Sequence, residues 1–183
     1  MRGLKHIVAA AGLAVAFCLP VAADQARLDD LMGQLRDAEN TRAAGLVVRE
    51  IVAEWSRSGS PGIDLLLRRG ADALEAGEFA VAVEHLTAAI DHAPGFAEAW
   101  HQRATAYYRM GDVGPALADL QTTLQLNPGH FGAMQGLGVI LQDLGRSAEA
   151  LEVFALVHDM NPQDTGLADA IDRLERELAG RAI

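Results

Sequence analysis

Cysteine and lysine are almost missing from this chain. Cys18 and Lys5 are the only examples of each among 183 residues. With a single cysteine there is no internal disulfide, and no paired-thiolate metal site can form. The fourteen other basic residues are arginine, set against 25 acidic ones for a net charge of −10. Such a chain lacks the clustered cations that nucleic acids and anionic lipid surfaces require. Its charge favours solubility and a neutral or basic partner. Long apolar runs are also absent. The longest, Ile7 to Leu19, covers thirteen residues and falls short of the ~20 that a membrane-spanning helix needs.

That run follows a basic start (Arg2, Lys5, His6) and precedes Pro20 and the small residues Val21-Ala22-Ala23. The layout is that of a secretory signal, with cleavage expected between Ala23 and Asp24. An uncleaved membrane tether is the alternative. Lipid modification at Cys18 is disfavoured because Phe17, not a small residue, precedes it. Removing residues 1–23 leaves 160 residues with no cysteine and a net charge of −12, enough for one domain. The Ala/Arg-rich, Lys-poor composition and compact signal point to a bacterial protein exported to the periplasm.

A 34-residue period organises the rest. Gly77, Gly111 and Gly145 recur in step with Ala82, Ala116 and Ala150, and with Pro94, Pro128 and Pro162. Glycine closes a helix by adopting a left-handed conformation that a Cβ opposes. Proline stops one by lacking the donor that continuation needs. The period therefore predicts stacked antiparallel helix hairpins, an all-α solenoid, in units 63–96, 97–130 and 131–164. Small residues (Gly70, Ala104, Gly138 and the three alanines) are expected where the paired helices cross. Leu66, Leu86, Ile90, Trp100, Tyr107, Leu120, Leu124, Met134, Leu137, Leu141, Phe154 and Val157 would fill the seam. Residues 24–62 read as a less regular hairpin and turn, with helices over 27–38 and 41–57 and apolar positions Leu28, Leu31, Leu35, Leu46, Val47, Ile51 and Trp55. Residues 165–179 read as one amphipathic helix closing the far end, followed by a tail, with Leu167, Ile171, Leu174 and Leu178 inward.

The middle unit reads Trp100-x₂-Arg103-Ala104-x₂-Tyr107, then Ala116-x₃-Leu120, then Pro128. In this it resembles the tetratricopeptide repeat family. Arg103, like Arg69 in the first unit, stands where leucine is usual; its stem can line the seam while its head stays in water. The resemblance implies a right-handed superhelix and a concave surface, lined by the first helix of each unit, that grips an extended peptide or a partner helix. The residues implied to line it are Asp64, Leu67, Ala71, Leu74 and Glu75; Glu98, His101, Thr105, Tyr108 and Arg109; and Gly132, Gln135, Val139, Gln142 and Asp143. The paired Lys and Asn with which some members grip a terminal carboxylate are replaced here by Leu67 and Ala71. One Arg facing four carboxylates favours neutral or basic segments.

No catalytic, cofactor or metal site emerges from the motifs. His85 and His92 lie about two turns apart on one helix, roughly 10 Å and too far for one ion. His101, His130 and His158 join no metal-binding spacing, so all five are expected at the surface or partly packed. Ser58-Gly59-Ser60-Pro61-Gly62 follows a helix and lacks Gly-Lys-Ser/Thr, which leaves it a turn. Gly132-x₃-Gly136-x-Gly138 has no preceding strand, so it is read as helix–helix approach rather than a dinucleotide fingerprint. The expectation is a monomeric, non-catalytic binding module for a protein or peptide of the cell envelope. Its alternatives are an assembly factor for an envelope complex, or a small hydrolase using carboxylates perturbed within a concave pocket.

Overall fold

The computed structural model describes residues 19–181; the basic start and most of the apolar run lie outside them. The described residues form nine helices: α1 (Leu19–Arg36), α2 (Thr41–Trp55), α3 (Pro61–Glu75), α4 (Phe79–His92), α5 (Ala97–Met110), α6 (Val113–Leu126), α7 (Phe131–Asp143), α8 (Ser147–Met160) and α9 (Thr165–Arg181). The first begins earlier than expected, and the Ala23–Asp24 bond falls within its opening turns. Among the described residues no helix is long and apolar enough to cross a membrane.

The 34-residue marks do what their chemistry requires. Gly77, Gly111 and Gly145 have φ of 75°, 85° and 74°. The next residue in each case donates its N–H back to a carbonyl five residues earlier: Glu78 to Ala73 (2.8 Å), Asp112 to Tyr107 (2.9 Å) and Arg146 to Leu141 (2.9 Å). This left-handed turn satisfies carbonyls that would otherwise be stranded at the helix end. The second helix of each pair ends two residues before its proline, and the cap residues between them, Ala93, Asn127 and Asn161, make the last backbone bonds.

Hairpins α3–α4, α5–α6 and α7–α8 stack in order, and α9 packs on α8. The seam residues expected from the sequence all enter the core clusters, and Ala82, Ala116 and Ala150 are fully buried. Glycine is sterically required at two crossings. A Cβ on Gly70 would meet Leu86 at 2.5 Å, and one on Gly138 would meet Phe154 at 2.3 Å. Gly138→Ala should therefore cost about 1–3 kcal/mol through overpacking. Urea denaturation will measure it, and an unchanged midpoint would mean that Phe154 swings aside freely.

The N-terminal hairpin does not continue the stack. Its own core joins Leu31, Leu35, Ala44 and Ile51 with Leu28, Val47 and Trp55, while Leu46 faces solvent. Yet α1 packs against α8, and α2 makes no substantial contact with α3. Thr41, at the start of α2, donates to the carbonyl of Gln163 at 3.4 Å, just before α9. Trp55, at its end, lies against His130 and Phe131 at the start of α7. Helix α2 thus runs backwards along the edge formed by the inter-repeat loops. The chain then returns to α3 through a turn in which Ser58 donates its N–H (2.8 Å) and hydroxyl (2.6 Å) to Asp64.

Candidate functional site

Helices α5 and α7 carry the same face of successive repeats, so their side chains meet across a shallow channel. Between them is a cleft of about 260 Å³ lined by His101, Ala104, Thr105, Tyr108, Leu120, Gly132, Gln135, Gly136, Val139 and Ile140. Six of these were expected from the sequence. Tyr108 spans the channel and donates its hydroxyl to Asp143 at 2.6 Å; that hydrogen bond holds the phenol pKa above its ordinary value. Thr105 donates its hydroxyl back to the carbonyl of His101 at 3.1 Å. Gln142 is half-buried nearby.

Other expected residues are elsewhere. Leu67 is buried among α3, α4 and α5 and cannot face a partner. Leu74 packs half-buried against that same cluster. Asp64 is drawn off to hold the turn at Ser58, whose hydrogen bonds outweigh its desolvation and lower its pKa. Ala71 is half-buried and Glu75 exposed on α3. Arg109 is exposed, with its guanidinium 5.1 Å from the centre of the Phe79 ring. Of the four carboxylates assigned to the channel, only Glu75 and Asp143 are exposed.

Glu98 is the largest departure. It is 5 % exposed and belongs to a cluster that spacing along one helix could not reveal. Its Oε2 lies 3.0 Å from Nε2 of His130 and 3.7 Å from Nδ1 of His101, while Oε1 accepts from Gln102 at 2.8 Å. Burial alone would raise the Glu98 pKa, but hydrogen bonds and charge from the two histidines outweigh it and hold it at about 2. His130 is 1 % exposed, neither at the surface nor partly packed. Its ring stacks on Trp55 with centroids 4.3 Å apart and tilts against His101 at 4.5 Å. Burial lowers its pKa against the pull of Glu98.

Glu98, His101 and His130 bring three ligand atoms within 4.8 Å of one another, which raises the question of a metal. The hydrogen bonds answer it. Nδ1 of His130 accepts from the N–H of Ala133 at 3.1 Å, capping α7, so the ring proton sits on Nε2 and is donated to Glu98. A metal at Nε2 would force that proton onto Nδ1, facing the Ala133 donor. Ligating histidines keep a donor on their outer nitrogen, with an acceptor to receive it; His130 has the reverse. The cluster is a joint in which hydrogen bonds tie α5 to the start of α7 and the stacked Trp55 ring adds α2. A carboxyl held this low also differs from a catalytic acid, whose pKa is raised.

Arg103 also departs from expectation. Its head is not in water: it donates to both carboxylate oxygens of Asp119 (2.7 and 2.9 Å) and to Thr87 (3.0 Å), and it lies over the ring of Trp100 at 4.9 Å.

Repeated α-hairpins with glycine-closed first helices and an open channel along them define a helical-repeat protein. A tetratricopeptide repeat model matches residues 101–165. A TPR repeat-containing protein of Rhizobium etli is 33 % identical over 154 residues, 84 % of this chain and 76 % of that one. The chain belongs to the tetratricopeptide repeat family. The Protein SGT1 homolog of Bos taurus is 31 % identical over 115 residues, covering 63 % of this chain but only 34 % of its own length. Among solved structures, the Sgt2 TPR domain from Aspergillus fumigatus superposes with a TM-score of 0.62 at 22 % identity, over 67 % of this chain and 83 % of that one. The first TPR of Spaghetti (RPAP3) bound to an HSP90 peptide gives 0.61 at 21 %, over 64 % and 93 %.

The channel residues that sequence reasoning missed are Ala104, Leu120, Gly136 and Ile140. Gly136, expected from its spacing to serve helix–helix approach, lines the cleft instead. Trp55 carried no local signal of its contact with His130, 75 residues further along the chain.

Proposed function

We propose that this protein is a non-catalytic interaction module that holds a peptide segment or helix of a partner protein in the channel between α5 and α7. The observation that carries this reading is the cleft itself, where six expected residues from two repeats converge on one open surface. The peptide bound to the RPAP3 repeat domain, a fold neighbour, supports the same use of the fold. With Asp64 and Glu98 engaged inside the protein, the channel suits a neutral segment better than a strongly basic one. The basic start, apolar run and Val21-Ala22-Ala23 support export to the periplasm, with a partner in the cell envelope. N-terminal sequencing of the protein recovered from its native cells should begin at Asp24, and a retained Met1 would favour the tether.

The channel reading is tested by placing a photo-crosslinker at Thr105 or Gln135 in living cells and identifying the attached protein. Its affinity is then measured with Tyr108→Ala in the channel and with Arg109→Glu, which lies outside it against Phe79 and reports how far the contact surface extends. Tyr often dominates interface energies, so Tyr108→Ala should weaken binding about tenfold. Wild-type affinity in the Tyr108→Ala variant would reject the channel as the binding surface.

A further inference from the structure

Gly136 poses a question that packing leaves unanswered. It lies in the middle of α7, where glycine is disfavoured relative to alanine. Gly70 and Gly138 have no room for a side chain, but a Cβ on Gly136 would sit 3.5 Å from Leu120, an ordinary contact. Nor is its backbone in the left-handed region, since the described glycines at positive φ are 59, 77, 111 and 145. What a side chain at 136 would do is intrude into the cleft, whose wall this glycine forms. The helix therefore carries a destabilising residue whose one visible effect is to keep a cavity open.

The chemistry of that cavity is consistent. Its floor is Ala104, Leu120, Val139 and Ile140, with no Asp, Glu, Lys or Arg in the lining, although the whole chain carries −10. At the mouth, the Tyr108 hydroxyl is already committed to Asp143 and that of Thr105 to a backbone carbonyl. Burying a charge or an unmatched polar group here would be unfavourable, whereas burying apolar surface would be favourable. About 260 Å³ exceeds the roughly 150 Å³ of an apolar cavity that accepts benzene.

We infer that this cleft is a specificity pocket that receives one large uncharged apolar side chain, aliphatic or aromatic, from the partner segment, with Gly136 as the residue that keeps it open. The inference rests on the channel reading above and adds to it the identity of the anchor. Tyr108 and Gln135 also line the cleft, and the Gln135 amide can bond to the segment's backbone.

The test uses a random twelve-residue peptide library displayed on phage and selected against the full mature chain. Enriched peptides are then titrated against wild type, Gly136→Ala, Gly136→Leu and Tyr108→Ala. The expected result is a shared Leu, Ile, Met or Phe whose replacement by Ala weakens binding at least tenfold. Gly136→Leu should weaken binding equally while melting no lower than wild type, and Gly136→Ala should raise Tm by about 2–4 °C. Should Gly136→Leu fail to fold, Gly136→Ala still decides, because its methyl group narrows the cleft and should weaken binding measurably. Peptides that bind both Gly136 variants as well as wild type, yet lose affinity with Tyr108→Ala, would overturn the pocket and leave the channel standing. Enrichment of no peptide, or of peptides insensitive to every α5 and α7 variant, would overturn both.

Discussion

Replacing Arg103 by leucine, the residue usual at this position of the repeat, should destabilise the protein by about 3–5 kcal/mol. The reason lies in Asp119, which is 4 % exposed and whose two oxygens are both engaged by the Arg103 guanidinium. Leucine would leave that carboxylate buried without its counter-charge, and it would break the link to Thr87 on α4. Three helices from two repeats meet at this one side chain. The substitution should lower Tm by on the order of 10 °C, followed by circular dichroism. The double variant Arg103→Leu/Asp119→Leu should recover most of the loss, since an apolar pair can replace a buried ion pair at little cost. A single variant as stable as wild type would show that the pair is incidental.

His130→Ala should cost roughly 3 kcal/mol by removing three contacts together: the bond to buried Glu98, the cap on Ala133 and the stack with Trp55. The loss should be felt first in the N-terminal hairpin, because α2 is held to the edge of the stack by that aromatic contact. Faster hydrogen exchange across α2 than across α5–α8 would show it; uniform acceleration would count against a local joint. Acid should act in the same direction. The folded-state pKa of His130 lies below its ordinary 6.5, so unfolded chains bind more protons. Its contribution is complete above pH 6.5 and declines below it. Glu98, held at about 2 against an ordinary 4.5, adds a second loss as pH falls from 4.5 toward 2. His130→Gln can donate and accept much as the imidazole does but cannot titrate. It should be less stable than wild type at pH 7 yet nearly flat between pH 7 and 5. A wild-type protein equally stable at pH 7 and 5 would contradict this account.

The 34-residue period alone determined the hairpins, their ends and their seam, because glycine closure, proline stops and small crossing residues act within a few residues of themselves. Which face of α5 and α7 lines the cleft was implied by the family resemblance, carried onto equivalent positions of each repeat. Relations between positions were decided only by tertiary structure. Arg69 and Arg103 hold the same place in successive repeats, and the residue 16 positions on is His85 in one and Asp119 in the other; the first arginine stays exposed and the second is locked onto Asp119. The third repeat has Leu137 and Val153 at these positions, both apolar and both packed in the core. Nothing local marks Glu98 and His130 as partners, or brings Trp55 back to the start of α7. The first contact crosses between stacked repeats from α5 to the start of α7, and the second follows from α2 running along the loop edge; both are set by packing between distant segments, to which a periodic pattern is blind. The same reason separates the glycines: Gly138 and Gly136 are two residues apart, but a Cβ on one would strike Phe154 at 2.3 Å and on the other would meet Leu120 at an ordinary 3.5 Å.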